Sequence, residues 1–173
     1  MALKLIWPQL YPGQATQEGW VAQIDYAEAQ GFTAALIVVD VPTDPLESRN
    51  IRGKGDLNPR TNPEVSFPNV ITWDDVAYII QNAHLPIVIK GIGAWEDAVK
   101  AKEIGAAAVY LSNHGNRAGD GVNAPVETLL EIRKHAPELL DEIPVFVDGN
   151  VYSGTNALKL LALGAKMVGI GRP

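Results

Sequence analysis

Residues 85–115, with the sequence LPIVIKGIGAWEDAVKAKEIGAAAVYLSNHG, decide the fold of this chain. Two short runs, residues 86–90 and 106–111, are apolar apart from Lys90, and they lie on either side of an amphipathic segment, residues 94–104, which is followed by Gly105. Neither apolar run alternates with polar residues, so each predicts a strand buried on both faces, as in a parallel sheet covered by helices. A strand, a helix and a strand joined by short connections form a βαβ unit.

The same alternation continues on both sides of this unit. Further strands are predicted at residues 3–10, 34–39, 144–147 and 166–170, and further helices at residues 17–30, 73–82, 124–135 and from 153 or 154 to 163. Thr72 precedes the helix at 73–82 and Asp75 is its third residue, which predicts a capping box. The chain thus contains six predicted strands and five predicted helices. Residues 41–70 carry five prolines and predict a long loop, typical of a lid or an active-site loop.

The composition is that of an ordinary globular chain. With 173 residues, 47% of them hydrophobic and 20% charged, residues 1–173 are predicted to form one domain with its own core. The net charge is −6 and no basic stripe carries interleaved aromatic residues, so nucleic acid is not an expected partner. Cysteine is absent, which excludes disulfides and thiolate metal sites. Neither a signal peptide nor an apolar run of ~20 residues is seen, so we expect an intracellular, cytoplasmic protein without a membrane span.

Polar residues at the ends of the predicted strands distinguish between two architectures that share this pattern. In an open doubly wound sheet only the switch point collects ligand-binding groups, whereas in a (β/α)8 barrel every strand can contribute. Here each of the six predicted strands ends in or is followed by a polar residue: Gln9, Asp40, Lys90, His114, Asp148 and Arg172. The sequence therefore predicts an α/β fold of the TIM-barrel (β/α)8 type, incomplete, with about six parallel strands.

His114 and Arg117 lie three residues apart, directly after a predicted strand. A neutral imidazole can accept a proton, and a guanidinium can hold a carboxylate through two parallel bonds, so the pair fits proton abstraction next to a carboxylate. Asp40 follows an apolar run and could orient the imidazole. Lys90 could act as a fixed positive charge that stabilises an anion, or as a lysine that forms a Schiff base with a carbonyl substrate.

Two glycine-containing segments, residues 148–154 and 169–172, follow the last two predicted strands. Glycine allows a backbone to approach a ligand closely, and amides at a helix start bind anions, so these segments predict a phosphate site. Gln9 and Tyr11 end the first predicted strand, where an amide and a phenol could bind ring edges and oxygen atoms.

These residues together resemble the FMN-dependent α-hydroxy-acid dehydrogenase/oxidase family, of the glycolate oxidase, lactate oxidase and flavocytochrome b2 type. The matching segments occur in family order over nearly the whole chain: residues 7–11, 39–42, 85–92, 112–117, 143–149, 162–166 and 170–173. The Ser112-Asn113-His114-Gly115 motif with Arg117 downstream is the most specific of them.

The resemblance implies FMN-dependent oxidation of a small 2-hydroxy acid to the 2-keto acid. It implies that His114 is the base that takes the α-proton, or the hydroxyl proton in a hydride-transfer version, and that Asp40 is its partner. Arg117 and Tyr11 would hold the substrate, with Tyr11 also part of the catalytic set. Lys90 would face the N1–O2 edge of the flavin. Gln9 and Ser112 would contact the isoalloxazine, and the ribityl phosphate would be held by Asp148, Gly149, Asn150, Gly171 and Arg172.

The chain also departs from the family pattern. Val38 stands where the family has a threonine, Glu47 aligns with a second active-site arginine, Asn116 replaces a small residue, and Asn150 and Tyr152 alter the Asp-Gly-Gly-Val-Arg loop. Relative to the family the domain looks truncated at both ends, including two strands and the last helix. The alternative to an enzyme is therefore a non-catalytic or weakly active shortened barrel that binds FMN poorly. Two open sheet edges favour self-pairing, which predicts a homo-oligomer.

Overall fold

The structure, a computed structural model, describes residues 7–11, 16–40, 71–118 and 121–171. The predicted loop at residues 41–70 with Glu47, the start of the first predicted strand, and Arg172 lie outside the described residues. Six parallel strands form one sheet in chain order: β1 Gln9–Leu10, β2 Ala35–Val38, β3 Ile87–Ile92, β4 Ala108–Leu111, β5 Val145–Val147 and β6 Met167–Val168.

The described residues contain six helices: α1 Gln17–Ala29, α2 Trp73–Asn82, α3 Trp95–Glu103, α4 Pro125–His135, α5 Leu139–Glu142 and α6 Gly154–Ala162. Five of them confirm the predicted helices, with small differences at the ends. The short helix α5 was not predicted, because a single turn has too few residues to show a helical period. None of these helices is both long enough and apolar enough to cross a membrane.

The predicted capping box at the start of α2 is confirmed. The Thr72 hydroxyl accepts a hydrogen bond from the Asp75 amide at 3.2 Å, and the Thr72 amide donates to the Asp75 carboxylate at 2.8 Å. The side chain of Gln17, at the start of α1, donates to the other oxygen of this carboxylate at 2.8 Å. Hydrogen bonds from the Thr72 hydroxyl, the Thr72 amide and Gln17 lower the pKa of Asp75. The cap therefore also links two neighbouring helices.

The strand order decides between the two architectures. A doubly wound sheet reverses its strand order at a switch point. Here every strand pairs with its neighbour in the chain, from β1 through β6, without a reversal. All crossover helices then lie on one face, as in a TIM barrel, and the predicted barrel-type fold is confirmed. The described strands do not close the barrel, so β1 and β6 form the two edges of the sheet.

The sheet is strongly curved, because residues near its first and fifth strands meet across its inner face. Trp7, next to β1, stacks on Phe146 of β5 with ring centroids 6.0 Å apart. Along a flat sheet four strand spacings would separate them by roughly 19 Å. The inner face is filled by one cluster of side chains: Leu36, Val88, Ala108, Tyr110 and Phe146, with Trp7 against them.

The outer face of the sheet carries the larger part of the core. Alternate strand residues such as Ile89, Val109 and Val145 pack against buried residues of the helices, including Leu129 and Ile132 of α4. A second cluster joins Ile37 and Ile87 to Ile24 of α1. Both faces of the central strands are therefore buried, as the unbroken apolar runs predict.

Two neighbouring leucines of α4 provide a test of this packing. Leu129 is 0% exposed and Leu130 is 47% exposed. We expect Leu129→Ala to lower the free energy of unfolding by about 2–5 kcal/mol, because a buried cavity is left. Leu130→Ala should change it by no more than about 0.5 kcal/mol. Urea unfolding followed by circular dichroism measures both, and equal losses would contradict the packing described here.

Candidate active site

The carboxyl ends of four neighbouring strands bring polar side chains together. Lys90 lies in β3, Asp40 follows β2, Ser112 follows β4 and Asp148 follows β5. The Lys90 ammonium is buried and donates a hydrogen bond to the Ser112 hydroxyl at 3.3 Å. These four predicted site residues therefore form one cluster at the mouth of the curved sheet.

The structure also brings His114 and Asp40 together. Nδ1 of His114 lies 3.2 Å from Oδ1 of Asp40, and both side chains are largely buried. An ionised carboxylate can only accept hydrogen bonds, so in this pair Nδ1–H is the donor. Nε2 is then left as the acceptor, the state in which a histidine can take a proton from a substrate.

A strained turn presents His114. His114, Gly115 and Asn116 have φ angles of 58°, 69° and 62°, so three consecutive residues are left-handed. Such a backbone costs energy at most residues other than glycine and asparagine, including His114, so the surrounding structure must hold it. The Ser112 hydroxyl accepts from the His114 amide at 3.1 Å, and the buried Asn113 side chain accepts from the Asn116 amide at 2.9 Å. Ser112 and Asn113 thus hold the turn.

Three further predicted site residues lie around the His114–Asp40 pair: Arg117, Tyr11 and Gln9. Nε of Arg117 donates to the His114 carbonyl at 3.0 Å, which anchors the guanidinium on the same turn as the imidazole. The Tyr11 ring is half-exposed, and its centroid lies 6.0 Å from that of the His114 ring. Gln9 is the register partner of Leu36 and so lies on the inner face with it, although it is exposed. The Nη groups of Arg117 and the Tyr11 hydroxyl are the groups that could hold a substrate.

Gly91 contributes to the site but was given no role in the sequence interpretation. It has a φ of 103°, and a Cβ at this position would lie 2.5 Å from the Cβ of Asp40. The pairing of β3 with β4 also shifts register between Lys90 and Ile92. A glycine inside an apolar strand signals a bulge or a close backbone approach, and this signal was available in the sequence.

Tyr110 is the second residue that the sequence interpretation missed. It is buried, and Nζ of Lys90 lies 5.5 Å from the centroid of its ring. A Cβ at Gly169 would overlap the Tyr110 hydroxyl. Burial raises the pKa of Tyr110, and the neighbouring Asp148 carboxylate adds to this increase. The apolar run around Tyr110 concealed the residue, because it reads as one more core position.

The structure describes the whole of the first predicted phosphate segment, residues 148–154, and residues 169–171 of the second. Asn150 is exposed with a φ of 57°, and a Cβ at Gly149 would meet the Pro125 ring at 3.2 Å. Tyr152, in the position of the family's arginine, is 66% exposed. Gly171 is exposed, and a Cβ there would meet no atom within 4 Å. With Arg172 outside the described residues, the phosphate site stays a prediction.

The site contains carboxylate oxygens that nothing in the described residues satisfies. Oδ2 of Asp40 and Oδ1 of Asp148 are buried without a hydrogen-bond partner among the described residues. Burial raises the pKa of Asp148, and the nearby Asp40 carboxylate adds to the increase, whereas Ser112, Lys90 and His114 oppose it. Buried acceptors of this kind need a donor, which a bound ligand can supply.

Comparison with known proteins assigns the family. Residues 62–173 match the family described as FMN-dependent dehydrogenase. The chain belongs to this family. L-lactate dehydrogenase (cytochrome) of Saccharomyces cerevisiae is 50% identical over 165 residues, which are 84% of this chain and 28% of that protein. 2-Hydroxyacid oxidase 1 of Homo sapiens is 33% identical over 195 residues, with 98% of this chain and 52% of that protein covered.

Two solved structures agree with this assignment. A flavocytochrome b2 mutant with pyruvate bound has a TM-score of 0.78 and 38% identity, covering 96% of this chain and 42% of that one. Mandelate oxidase with benzoyl-formic acid has a TM-score of 0.77 and 34% identity, covering 96% and 49%. The predicted family is confirmed. The chain spans about half the length of these relatives or less.

FMN is the cofactor that this family implies, and the described residues fit it. Lys90 offers a fixed positive charge for an electron-accepting ring, and the unpartnered oxygen of Asp148 offers an acceptor for a hydroxyl group. Both groups lie on the same mouth of the sheet as His114. These charged and hydrogen-bonding groups are therefore suited to a flavin with a polyol chain.

Asp148 gives a prediction on stability against pH. Its folded pKa lies above the ordinary value of 3.8, so between these two values the native state binds more protons than the unfolded state. Stability therefore falls as pH rises through this window. We expect Asp148→Asn, which does not titrate, to gain stability relative to the wild type as pH rises from the ordinary value, until the gain levels off.

Urea unfolding at a series of pH values measures this difference. Asp141→Asn, at an exposed carboxylate of α5, is the matched control and should follow the wild-type profile. Parallel profiles for Asp148→Asn and the wild type would contradict the raised pKa of Asp148.

Proposed function

We propose that this chain carries the catalytic site of an FMN-dependent oxidoreductase that converts a small 2-hydroxy acid to the 2-keto acid. The observation that carries the proposal is the His114–Asp40 pair at 3.2 Å, with Arg117 on the same turn as His114 and with the buried Lys90 bonded to Ser112, two residues before His114. A base, an orienting carboxylate, a guanidinium and a fixed ammonium are the groups that this reaction needs. Relatives named as lactate dehydrogenase and 2-hydroxyacid oxidase support it.

In this proposal His114 is the base. Nε2 takes a proton from the substrate while Nδ1–H stays bonded to Asp40, so the carboxylate stabilises the imidazolium that forms. The left-handed turn fixes the imidazole before the substrate arrives, which removes the entropy cost of orienting it during the reaction.

The remaining residues bind the reactants. The Nη groups of Arg117 hold the carboxylate of the 2-hydroxy acid, and Tyr11 contacts the substrate from the side facing the His114 ring. FMN, when bound, supplies the acceptor for the two electrons that leave the substrate. Lys90, Ser112 and Gln9 would hold its ring. Its ribityl phosphate would be held by Asp148, Gly149, Asn150, Gly171 and Arg172.

The test is a titration of the purified protein with FMN, followed by anaerobic addition of L-lactate or glycolate. We expect the visible flavin spectrum to change on binding, and the oxidised band to bleach with one of the two acids. Acetate, which has no hydroxyl to oxidise, is the control and should leave the band unchanged. Bound FMN that no 2-hydroxy acid reduces would refute the proposed reaction.

Replacement of the base separates chemistry from cofactor binding. Asparagine tolerates a left-handed backbone, so His114→Asn should keep the turn and the affinity for FMN. We expect the rate of flavin reduction to fall by roughly 10²–10⁴, the usual contribution of a general base. His135→Asn, at an exposed position of α4, is the matched control and should leave the rate unchanged. An equal loss in both variants, or none in His114→Asn, would argue against His114 as the base.

A second candidate is a shortened barrel that keeps the scaffold but binds FMN poorly. Two observations favour it. Val38, in register with Lys90, is fully buried and offers no hydrogen bond to a flavin, and exposed Tyr152 brings no positive charge to the phosphate segment. The FMN titration discriminates between the candidates, because a protein of this kind would show no change in the flavin spectrum at micromolar FMN.

Three further expectations stay predictions. A single sheet runs through the described strands, which supports one domain. Homo-oligomerisation is supported by three exposed apolar side chains, Leu158, Met167 and Ile170, and light scattering would test it. The cytoplasmic location is the third of these predictions.

A further inference from the structure

We propose that Tyr110 is a positioning residue of the flavin site, which holds the Lys90 ammonium and the Asp148 carboxylate in place, with Gly169 as the space that admits its hydroxyl. The link to flavin rests on the proposed function. The arrangement of the side chains rests on geometry alone and spans four consecutive strands or their ends, from β3 to β6.

The first contact is between Tyr110 and Lys90. The two residues are register partners on β3 and β4, and Nζ of Lys90 lies 5.5 Å from the centroid of the Tyr110 ring. A lysine has four rotatable bonds, so one hydrogen bond to Ser112 at 3.3 Å does not by itself fix where the charge sits. The face of an aromatic ring attracts an ammonium, most strongly where water is excluded. The Tyr110 ring therefore supplies the second point that locates the Lys90 charge.

The second contact is made by the Tyr110 hydroxyl. It reaches across the inner face to the end of β5, where it lies beside Asp148, and on to the end of β6. Gly169 follows β6, and any side chain there would occupy the position of the hydroxyl. Burial raises the pKa of Tyr110, so the phenol stays protonated next to the carboxylate and keeps a proton to donate.

Neighbouring aromatic residues prevent the Tyr110 ring from turning away. Phe146, its register partner on β5, meets it edge-on at 87° with centroids 6.1 Å apart. Trp7 in turn stacks on Phe146, so Phe146 contacts both aromatic rings. Tyr110 is thus held on one side by aromatic packing, and it presents its ring face to Lys90 and its hydroxyl to Asp148.

The alternative is that Tyr110 only fills the core and leaves the Lys90 ammonium free to move, in which case motional averaging would remove any ring-current shift of the Lys90 signal. The Lys90 side chain next to a ring face should show a ring-current shift in NMR spectra of the full chain with labelled lysine, without FMN. Loss of this signal in Lys90→Gln assigns it. We expect Tyr110→Phe to keep the shift, because the ring remains, and Tyr110→Leu to lose it.

Gly169 provides a second test that does not depend on Tyr110→Leu folding. Gly169→Ala should displace the Tyr110 hydroxyl and shift the Lys90 signal. The double variant Tyr110→Phe with Gly169→Ala should recover most of the original signal, because the overlapping oxygen is gone. A core-filling role predicts no such recovery at Lys90.

FMN titration of the same proteins tests the link to the cofactor. Tyr110→Leu should bind FMN roughly threefold to thirtyfold more weakly than the wild type, the range expected for one cation–π contact, and Tyr110→Phe should lose less. An unchanged Lys90 signal in both Tyr110→Leu and Gly169→Ala overturns the proposal, whatever the protein does with FMN. If the Lys90 signal shifts as expected but the protein binds no FMN, the result supports the positioning of Lys90 by Tyr110 and overturns the proposed function instead.

Discussion

The close approach of Asp40 to the backbone of β3 at Gly91 is the contact on which the arrangement of the site depends. Because Gly91 has no side chain, the carboxylate can lie directly over the strand, one residue beyond Lys90. From that position it reaches His114 at the end of β4, two strands away from its own. The same glycine absorbs the register shift that separates Lys90 from Ile92. One glycine thus places three groups of the proposed reaction: His114, Asp40 and Lys90.

Two departures from the family pattern have a common physical reason. Asn116 and Asn150 stand where the family has a small residue or a glycine, and both have left-handed backbones, with φ of 62° and 57°. Asparagine is among the few residues other than glycine that adopt this conformation at low cost. Asparagine therefore fits both loop positions without strain, so neither substitution is evidence against the site. Tyr152 differs from them, because it changes the charge next to the predicted phosphate position.

The fold was predictable from the sequence because the strands are apolar throughout and the helices have glycine ends or polar caps. Pro86 and Gly105 mark their boundaries, and Thr72 with Asp75 announces a capping box. The site was predictable where chemistry forces an unusual residue to follow a strand, as for Asp40 and His114. Tyr110 was missed because a buried tyrosine looks like an ordinary core position. Gly91 was missed because a strand glycine signals a close backbone approach without showing which residue approaches it. Their roles depend on which strand lies beside which, and that is set by tertiary packing rather than by local pattern.

The layered interior explains why proton uptake by His114 is favoured in the proposed reaction. Trp7, Phe146 and the Tyr110 ring form an apolar floor on the inner face, and the charged groups lie beside or above it. Charges interact more strongly where water is excluded, so an unbalanced charge at this mouth is costly. With both carboxylates ionised, Asp40 and Asp148 balance Lys90 and Arg117. An anionic 2-hydroxy acid then adds one negative charge. Transfer of its proton to His114 leaves the total charge of the site unchanged, but it places the imidazolium beside the Asp40 carboxylate, which stabilises it.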